Sequence, residues 1–346
     1  MKASMYEGNQ KIALHEVEPI EPGPHEVQLR IAYCGICGTD LHLFKGGLDY
    51  RIKQLPQAIG HECSGTIEKV GSEVKDWKPG DRVVVRPLDY CGECVACKAG
   101  HSHVCANLKF MGIESPGAFQ NFWTVHERTL HRIPDDLSLV HGALVEPLAV
   151  CCHAASRAEV KAGEYAVVIG GGTIGLMTAL VLKYRGLKVV VSEINPNRLA
   201  KVQSMGIDTI NPKETDVIEY VREHTNGDMA DVVFECSGSQ PALDTVPWLC
   251  HPRGRVVLEA SYPHPMQYFF REHFMREVNI IFTRVYEAVD FEEALDMMSK
   301  NPFNCDELIS EIIPLGKVQD GIDACLDPAG KVVKILVDCQ SQEGNT

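Results

Sequence analysis

An α/β fold in two unlike parts is what this 346-residue chain predicts, and three observations carry that expectation. The length suits two domains rather than one. The first ~150 residues are short alternating stretches cut by glycine and proline about every ten residues, the texture of a small barrel or sandwich. From about Pro147 the texture changes to strands alternating with helical stretches, which implies a parallel sheet.

In chain order, Val27–Ala32 and Gly65–Gly71 alternate as strands, and Lys78-Pro79-Gly80-Asp81 turns into a strand over Arg82–Val85. The second texture gives strands at Tyr165–Ile169, Lys188–Glu193, Ala230–Glu235 and Arg255–Glu259. Helices fall at Thr173–Tyr184, Arg198–Met205, Val217–His224 and Pro241–Leu249. After about Arg284 the alternation breaks, leaving a helix over Phe291–Ser299 and a last strand over Gly330–Val337. The resulting division is residues 1–149, 150–284 and a return over 285–346, with a cysteine lobe at 88–108. The polar tail Ser341–Thr346 is expected to fray.

Bulk composition narrows the function. The formal net charge is -14, which argues against nucleic acid or an anionic membrane as partner. No apolar run reaches the ~18 residues of a membrane span. The start of the chain has no signal-peptide core, so the 14 cysteines read as reduced thiols and metal ligands in a cytoplasmic protein.

Gly170-Gly171-Gly172-Thr173-Ile174-Gly175 follows a strand and opens a helix, as a dinucleotide loop does. Gly170 permits the turn, Gly172 lets backbone approach a pyrophosphate, and Gly175 lets the helix pack on the sheet. Glu193 ends the next strand, where a carboxylate binds the ribose hydroxyls and repels a 2′-phosphate, so NAD is favoured over NADP. Arg198 nearby could accept a phosphate, but Glu193 holds the deciding position.

Cys37, His61 and Glu62 offer the three donor types that zinc accepts, and a catalytic zinc keeps one position open. Glu146 is a fourth candidate, binding directly or through water. Such an ion lowers the pKa of a bound alcohol. Thr39 and His42 can pass the alcohol's proton to solvent. Each residue alone also has a bland reading, as a core thiol, a core histidine, a turn-capping hydroxyl or a surface group. Cys91, Cys94, Cys97 and Cys105, in C-x2-C-x2-C-x7-C spacing, close a tetrahedral site that staples a loop and does no chemistry. His101 and His103 inside that lobe are expected to face solvent.

Gly35–His42, Gly60-His61-Glu62, the four-cysteine lobe, Glu146-Pro147-Leu148, Gly170–Gly175 and Glu235–Gly238 occur in the order of the zinc-dependent medium-chain dehydrogenases. The chain resembles that family over nearly its whole length, and within it the sorbitol (polyol) and threonine dehydrogenase branch. The resemblance implies a GroES-like β-barrel catalytic domain built from both chain ends, a Rossmann domain between them, and an active site in the cleft they form. It implies two zinc ions per chain, one catalytic and one structural, and a dimer or tetramer. It also implies that Ser237 borders the cofactor and that Thr283-Arg284-Val285 lies near the nicotinamide. The expected reaction is NAD-dependent oxidation of a secondary alcohol of a polyol, cyclitol or sugar derivative to the ketone. L-Threonine or a sugar phosphate is the alternative substrate; either needs a cation, for which Arg51, Lys53 and Arg86 are candidates. The Asn-Ala-Val-His run of threonine dehydrogenases is absent after Pro147. A reading of another class is a non-catalytic dinucleotide-binding protein. The stretch Tyr262–Arg276, rich in aromatic and basic residues, has no counterpart in the family pattern and suits a substrate or subunit contact.

Overall fold

A computed structural model describes residues 1–262, 264–300 and 302–341. Most of the tail, residues 342–346, and Pro263 within the aromatic stretch lie outside the described residues. The chain forms two compact units: Met1–Glu146 with Glu287–Pro328 and Lys334–Thr346, and Pro147–Tyr286 with Ala329–Val333.

The first unit opens with β1 (Lys2–Gly8), β2 (Lys11–Glu16) and β3 (Glu26–Gly35), then α1 (Gly38–Phe44), β4 (Gln57–Ala58), β5 (Glu62–Val70) and β6 (Arg82–Val85). The lobe region carries β7 (Leu88–Asp89), α2 (Val95–Lys98) and β8 (Lys109–Phe110). β9 (Phe122–His126), β10 (Leu130–Arg132) and α3 (Leu139–Gly142) complete this segment, and α4 (Val145–Arg157) leads out of it. Alternation explains the strands: β3 buries Val27, Leu29 and Ile31 in the core.

The second unit continues with β11 (Tyr165–Ile169), α5 (Thr173–Tyr184), β12 (Lys188–Ser192), α6 (Pro196–Ser204), β13 (Asp208–Ile210) and α7 (Val217–His224). Then come β14 (Ala230–Glu235), α8 (Gln240–Leu249), β15 (Cys250–Leu258), α9 (Phe270–Arg276) and β16 (Asn279–Phe282). These strands form one parallel sheet in the order β13-β12-β11-β14-β15-β16. Its central strands read as continuous apolar runs, with Ala166, Val167 and Val168 buried, because helices cover both faces of such a sheet.

The chain then returns to the first unit through α10 (Ala288–Lys300), β17 (Ile309–Pro314), α11 (Val318–Leu326) and β18 (Lys334–Asp338). β18 pairs antiparallel with β3, Leu336 opposite Gly35, and so completes a sheet in the order β10-β6-β5-β3-β18-β17. The last strand starts at Lys334 rather than Gly330, since Gly330 has φ 62°, outside strand geometry. α9 and β16, which no sequence period announced, fill the aromatic stretch and the sheet edge.

Candidate functional site

Cys37 caps α1. The Cys37 amide donates to Asp40 Oδ2 at 2.9 Å, and the Thr39 amide points at Cys37 Sγ at 3.4 Å. This reciprocal cap fixes the thiol at the helix start. His61 and Glu62 stand at the entry to β5, buried at 1% exposure each. The donor atoms of Cys37, His61 and Glu62 all lie within 4.8 Å of one another. Glu146, on the first turn of α4, lies outside that tight trio, but it is buried and its charge acts on His61 and Lys334.

Two residues that the sequence reading did not assign hold the trio in place. Lys334 Nζ donates to both oxygens of Glu62, at 2.8 and 2.7 Å, and to the Ile36 carbonyl at 3.0 Å. Asp40 Oδ1 stands 3.6 Å from His61 Nδ1, beyond hydrogen-bond range, and acts on the imidazole through its charge. A Cβ on Gly35 would lie 2.1 Å from Glu62 Oε2, so glycine there lets the carboxylate lie against β3. A lysine inside the apolar run Val332-Val333-Lys334-Ile335-Leu336 was the one available signal: a buried cation demands a partner.

Electrostatics test whether these groups suit a cation. Burial drives the Cys37 thiol and the Asp40 carboxyl up from their ordinary values. Burial alone would lower His61, but Asp40, Cys37 and Glu146 outweigh it and raise it to about 10. The acidic groups therefore call for positive charge between them. A divalent ion supplies it while leaving imidazole neutral and thiol ionised, as ligation requires. The residues fit a zinc ion.

The lobe fits a second. Cys91, Cys94, Cys97 and Cys105 have sulfurs within 4.8 Å of one another, with Cys105 Sγ 3.4 Å from Cys91 Sγ and 3.9 Å from Cys94 Sγ. A tetrahedron of Zn–S bonds near 2.3 Å has edges of about 3.8 Å. Backbone N–H groups of Cys97 and Ala106 lower Cys94 to about 6, which favours thiolate. One expectation is corrected here: His103 is buried, not solvent-facing, whereas His101 is exposed. The short turn Ser102–Val104 folds His103 inward.

Thr39 and His42 lie three residues apart on α1, hence on one helix face, both half-buried. The His42 ring crosses Gly47, where a Cβ would lie 2.2 Å from Nε2. Of the candidate cations for an anionic substrate, Arg51 pairs with Glu114, and Arg86 lies 5.6 Å from the Tyr90 ring centroid.

In the second unit, Gly170 has φ 101° and donates to the Ser192 carbonyl at 2.8 Å. A Cβ on Gly175 would lie 1.9 Å from the Gly170 carbonyl oxygen, whereas one on Gly172 would meet only Arg198, at 4.0 Å. The first is a packing constraint; the second leaves the backbone open to a ligand. Thr173 and Ile174 form the first turn of α5, with Thr173 Oγ1 donating to the Val333 carbonyl at 2.5 Å. Glu193 is buried and accepts from the amides of Gly171, Ile194 and Asn195 at 2.7, 2.7 and 2.8 Å. Arg198 lies on α6, with its guanidinium facing Gly172. Ser237 is fastened by Glu235, which accepts from its amide at 2.8 Å and its hydroxyl at 2.5 Å. Tyr262 donates to the other oxygen of Glu235, a clamp that no motif announced. Arg284 is exposed and precedes Val285, which has φ 46°.

Two family models match: an alcohol dehydrogenase GroES-like domain over residues 23–135 and a zinc-binding dehydrogenase domain over residues 173–300. A 2-dehydro-3-deoxy-L-galactonate 5-dehydrogenase of Pseudoalteromonas atlantica is 43% identical, over 99% of this chain and 100% of its own. A sorbitol dehydrogenase of Halalkalibacterium halodurans is 30% identical, over 95% and 96% of the two chains. Among solved structures, an Escherichia coli protein described as a short chain alcohol dehydrogenase, complexed with NADH, superposes with TM-score 0.90 at 26% identity, covering 98% of this chain and 99% of its own. Matched end to end by such relatives, with its cysteine, histidine and carboxylate donors gathered into two zinc-compatible clusters, this chain belongs to the polyol dehydrogenase branch of the zinc-dependent medium-chain dehydrogenases.

Proposed function

We propose that the chain oxidises a secondary alcohol of a polyol or sugar acid to the ketone, with NAD as hydride acceptor. The observation that carries this reading is the buried trio Cys37, His61 and Glu62, braced by Lys334 and Asp40. Three donors leave one tetrahedral position open, as catalytic zinc sites do. Zinc there supplies Lewis acidity that lowers the pKa of the substrate alcohol. The Thr39 hydroxyl takes up the alcohol proton, and His42, one helical turn on, passes it to solvent. Glu146, buried and acidic, adjoins the trio and favours cationic occupancy.

Gly170, Gly172 and Gly175 with Thr173 and Ile174 seat the pyrophosphate at the start of α5. Glu193 takes the adenosine ribose hydroxyls, which favours NAD over NADP, and Arg198, Ser237 and Arg284 border the cofactor. Cys91, Cys94, Cys97 and Cys105 hold a structural zinc. A threonine or sugar-phosphate substrate is less well supported, because Arg51 is already committed to Glu114.

All 14 cysteines are free, which suits a reducing compartment, the cytoplasm. No helix among the described residues is long and apolar enough to cross a membrane. A homo-oligomer is supported by edge strand β16 and its surroundings, where Phe270, Phe274, Met275 and Phe282 are exposed.

The test is NADH formation over hexitols, inositols, sugar acids, L-threonine and sugar phosphates, with NADP in parallel. Turnover with polyols or sugar acids and a preference for NAD is expected. Zinc-replete protein inert across the whole panel would overturn the reading.

A further inference from the structure

We propose a third divalent-metal site, formed by His101, His103 and Glu287 beside the four-cysteine lobe. The three donor atoms lie within 4.8 Å of one another, as in the two clusters described above. Both imidazoles present Nδ1 to a single carboxylate oxygen: Glu287 Oε1 stands 2.8 Å from His101 and 3.4 Å from His103. The rings are perpendicular, at 89° with centroids 6.0 Å apart, so they approach that oxygen from different directions.

An ion bound at about 2.0–2.1 Å to nitrogen and oxygen needs donor separations of about 3.4 Å in a tetrahedron. The site reaches that with small side-chain rotations. His101 and Glu287 are free to make them, with side chains 58% and 31% exposed. His103 is the fixed donor, its side chain 9% exposed. The set of two imidazoles and one carboxylate matches zinc, cobalt or nickel rather than calcium or magnesium, which prefer all-oxygen sites. Exposure of His101 leaves a fourth position for water.

Two features of the fold bring these donors together. His101 and His103 flank Ser102 in the turn that closes the lobe, between Cys97 and Cys105. Glu287 lies just ahead of α10, where its amide donates to Asp290 Oδ2 at 2.7 Å. A metal here clips the lobe to the start of the returning segment. It uses none of the sulfurs of the structural cluster and none of the groups assigned to catalysis. The competing account is a carboxylate shared by two imidazole N–H groups with no ion.

Metal titration separates the two accounts. Protein carrying its tightly held zinc is dialysed free of loosely bound ions, then equilibrated with micromolar zinc, and metal per chain is counted by mass spectrometry. The wild type should take up about one further equivalent. His101→Ala, at an exposed side chain, and Glu287→Gln, a near-isosteric change at a half-buried one, should weaken that uptake at least tenfold and retain the tightly held metal. Cobalt added in place of zinc should give visible bands without the thiolate charge-transfer absorption of a cysteine site, and His103→Ala should abolish them. Added zinc should raise the melting temperature of the wild type and not that of His101→Ala. Equal uptake and an equal thermal response in wild type and variants would leave only the ion pair and overturn the proposal, whatever the enzyme's substrate proves to be.

Discussion

Lys334 and Glu62 are each almost fully buried, and each is the other's counter-charge. A buried pair adds little over an apolar pair of the same shape, but removing one partner strands the other charge, at a cost of about 3–5 kcal/mol. Lys334→Met is therefore expected to lower stability by about that much in urea titration and to release the catalytic zinc equivalent on dialysis. Unchanged stability and zinc content would show that Glu62 does not depend on Lys334. Thr39, proposed above as the first group of the relay, offers the complementary test, since it is half-buried and outside the core. Thr39→Val should lower kcat by about 10²–10⁴-fold while zinc per chain stays the same, the expected cost of removing a proton-transfer group. A wild-type kcat in that variant would remove Thr39 from the relay.

At the scale of elements, the ends of β14 and β15 gather carboxylates against α5. Glu259 accepts from Thr178 at 3.1 and 3.2 Å and from the Cys236 thiol at 3.3 Å. Burial pushes its carboxyl from 4.5 up to about 7, more than those hydrogen bonds pull it down, and nearby Glu235 adds to the rise. The folded protein thus keeps a proton that the unfolded chain releases near pH 4.5. The stability tied to that proton is complete below 4.5 and is lost as pH rises through about 7. Glu259→Gln should match the wild type in melting temperature at low pH and exceed it above neutrality, with the gap opening across that window. A constant gap at every pH would mean that folding leaves the Glu259 carboxyl at its unfolded value. The α5 contact itself rests on Gly175: the obstacle to a Cβ there is a backbone carbonyl, which cannot swing aside as a side chain can.

For the whole molecule, β16 is an edge strand of the parallel sheet, and Phe270, Phe274, Met275 and Phe282 on and before it are exposed apolar side chains that a second copy could cover. Light scattering should give a mass of two or four chains, and Phe282→Glu should shift it toward one; a monomeric wild type would end that reading. The two ends of the legibility scale lie within this one chain. Strand β11, the glycine loop and α5 could be read from the residues, because their signals are local: an apolar run, a turn that only glycine permits, and a helix period with its own start. The four-cysteine lobe was equally legible, since one short segment carries all its ligands. Local spacing could nominate Cys37, His61 and Glu62 but could not supply Lys334, 272 residues from Glu62, or turn His103 inward toward Glu287. Those depend on β18 pairing with β3 and on α10 returning to the first unit, long-range contacts whose register no short stretch encodes. The sequence by itself therefore determined the chemistry available, meaning which donors, which loop and which cofactor class. Tertiary structure alone decided which charges are buried together, because burial and counter-charge arise only when distant segments exclude water from the same place.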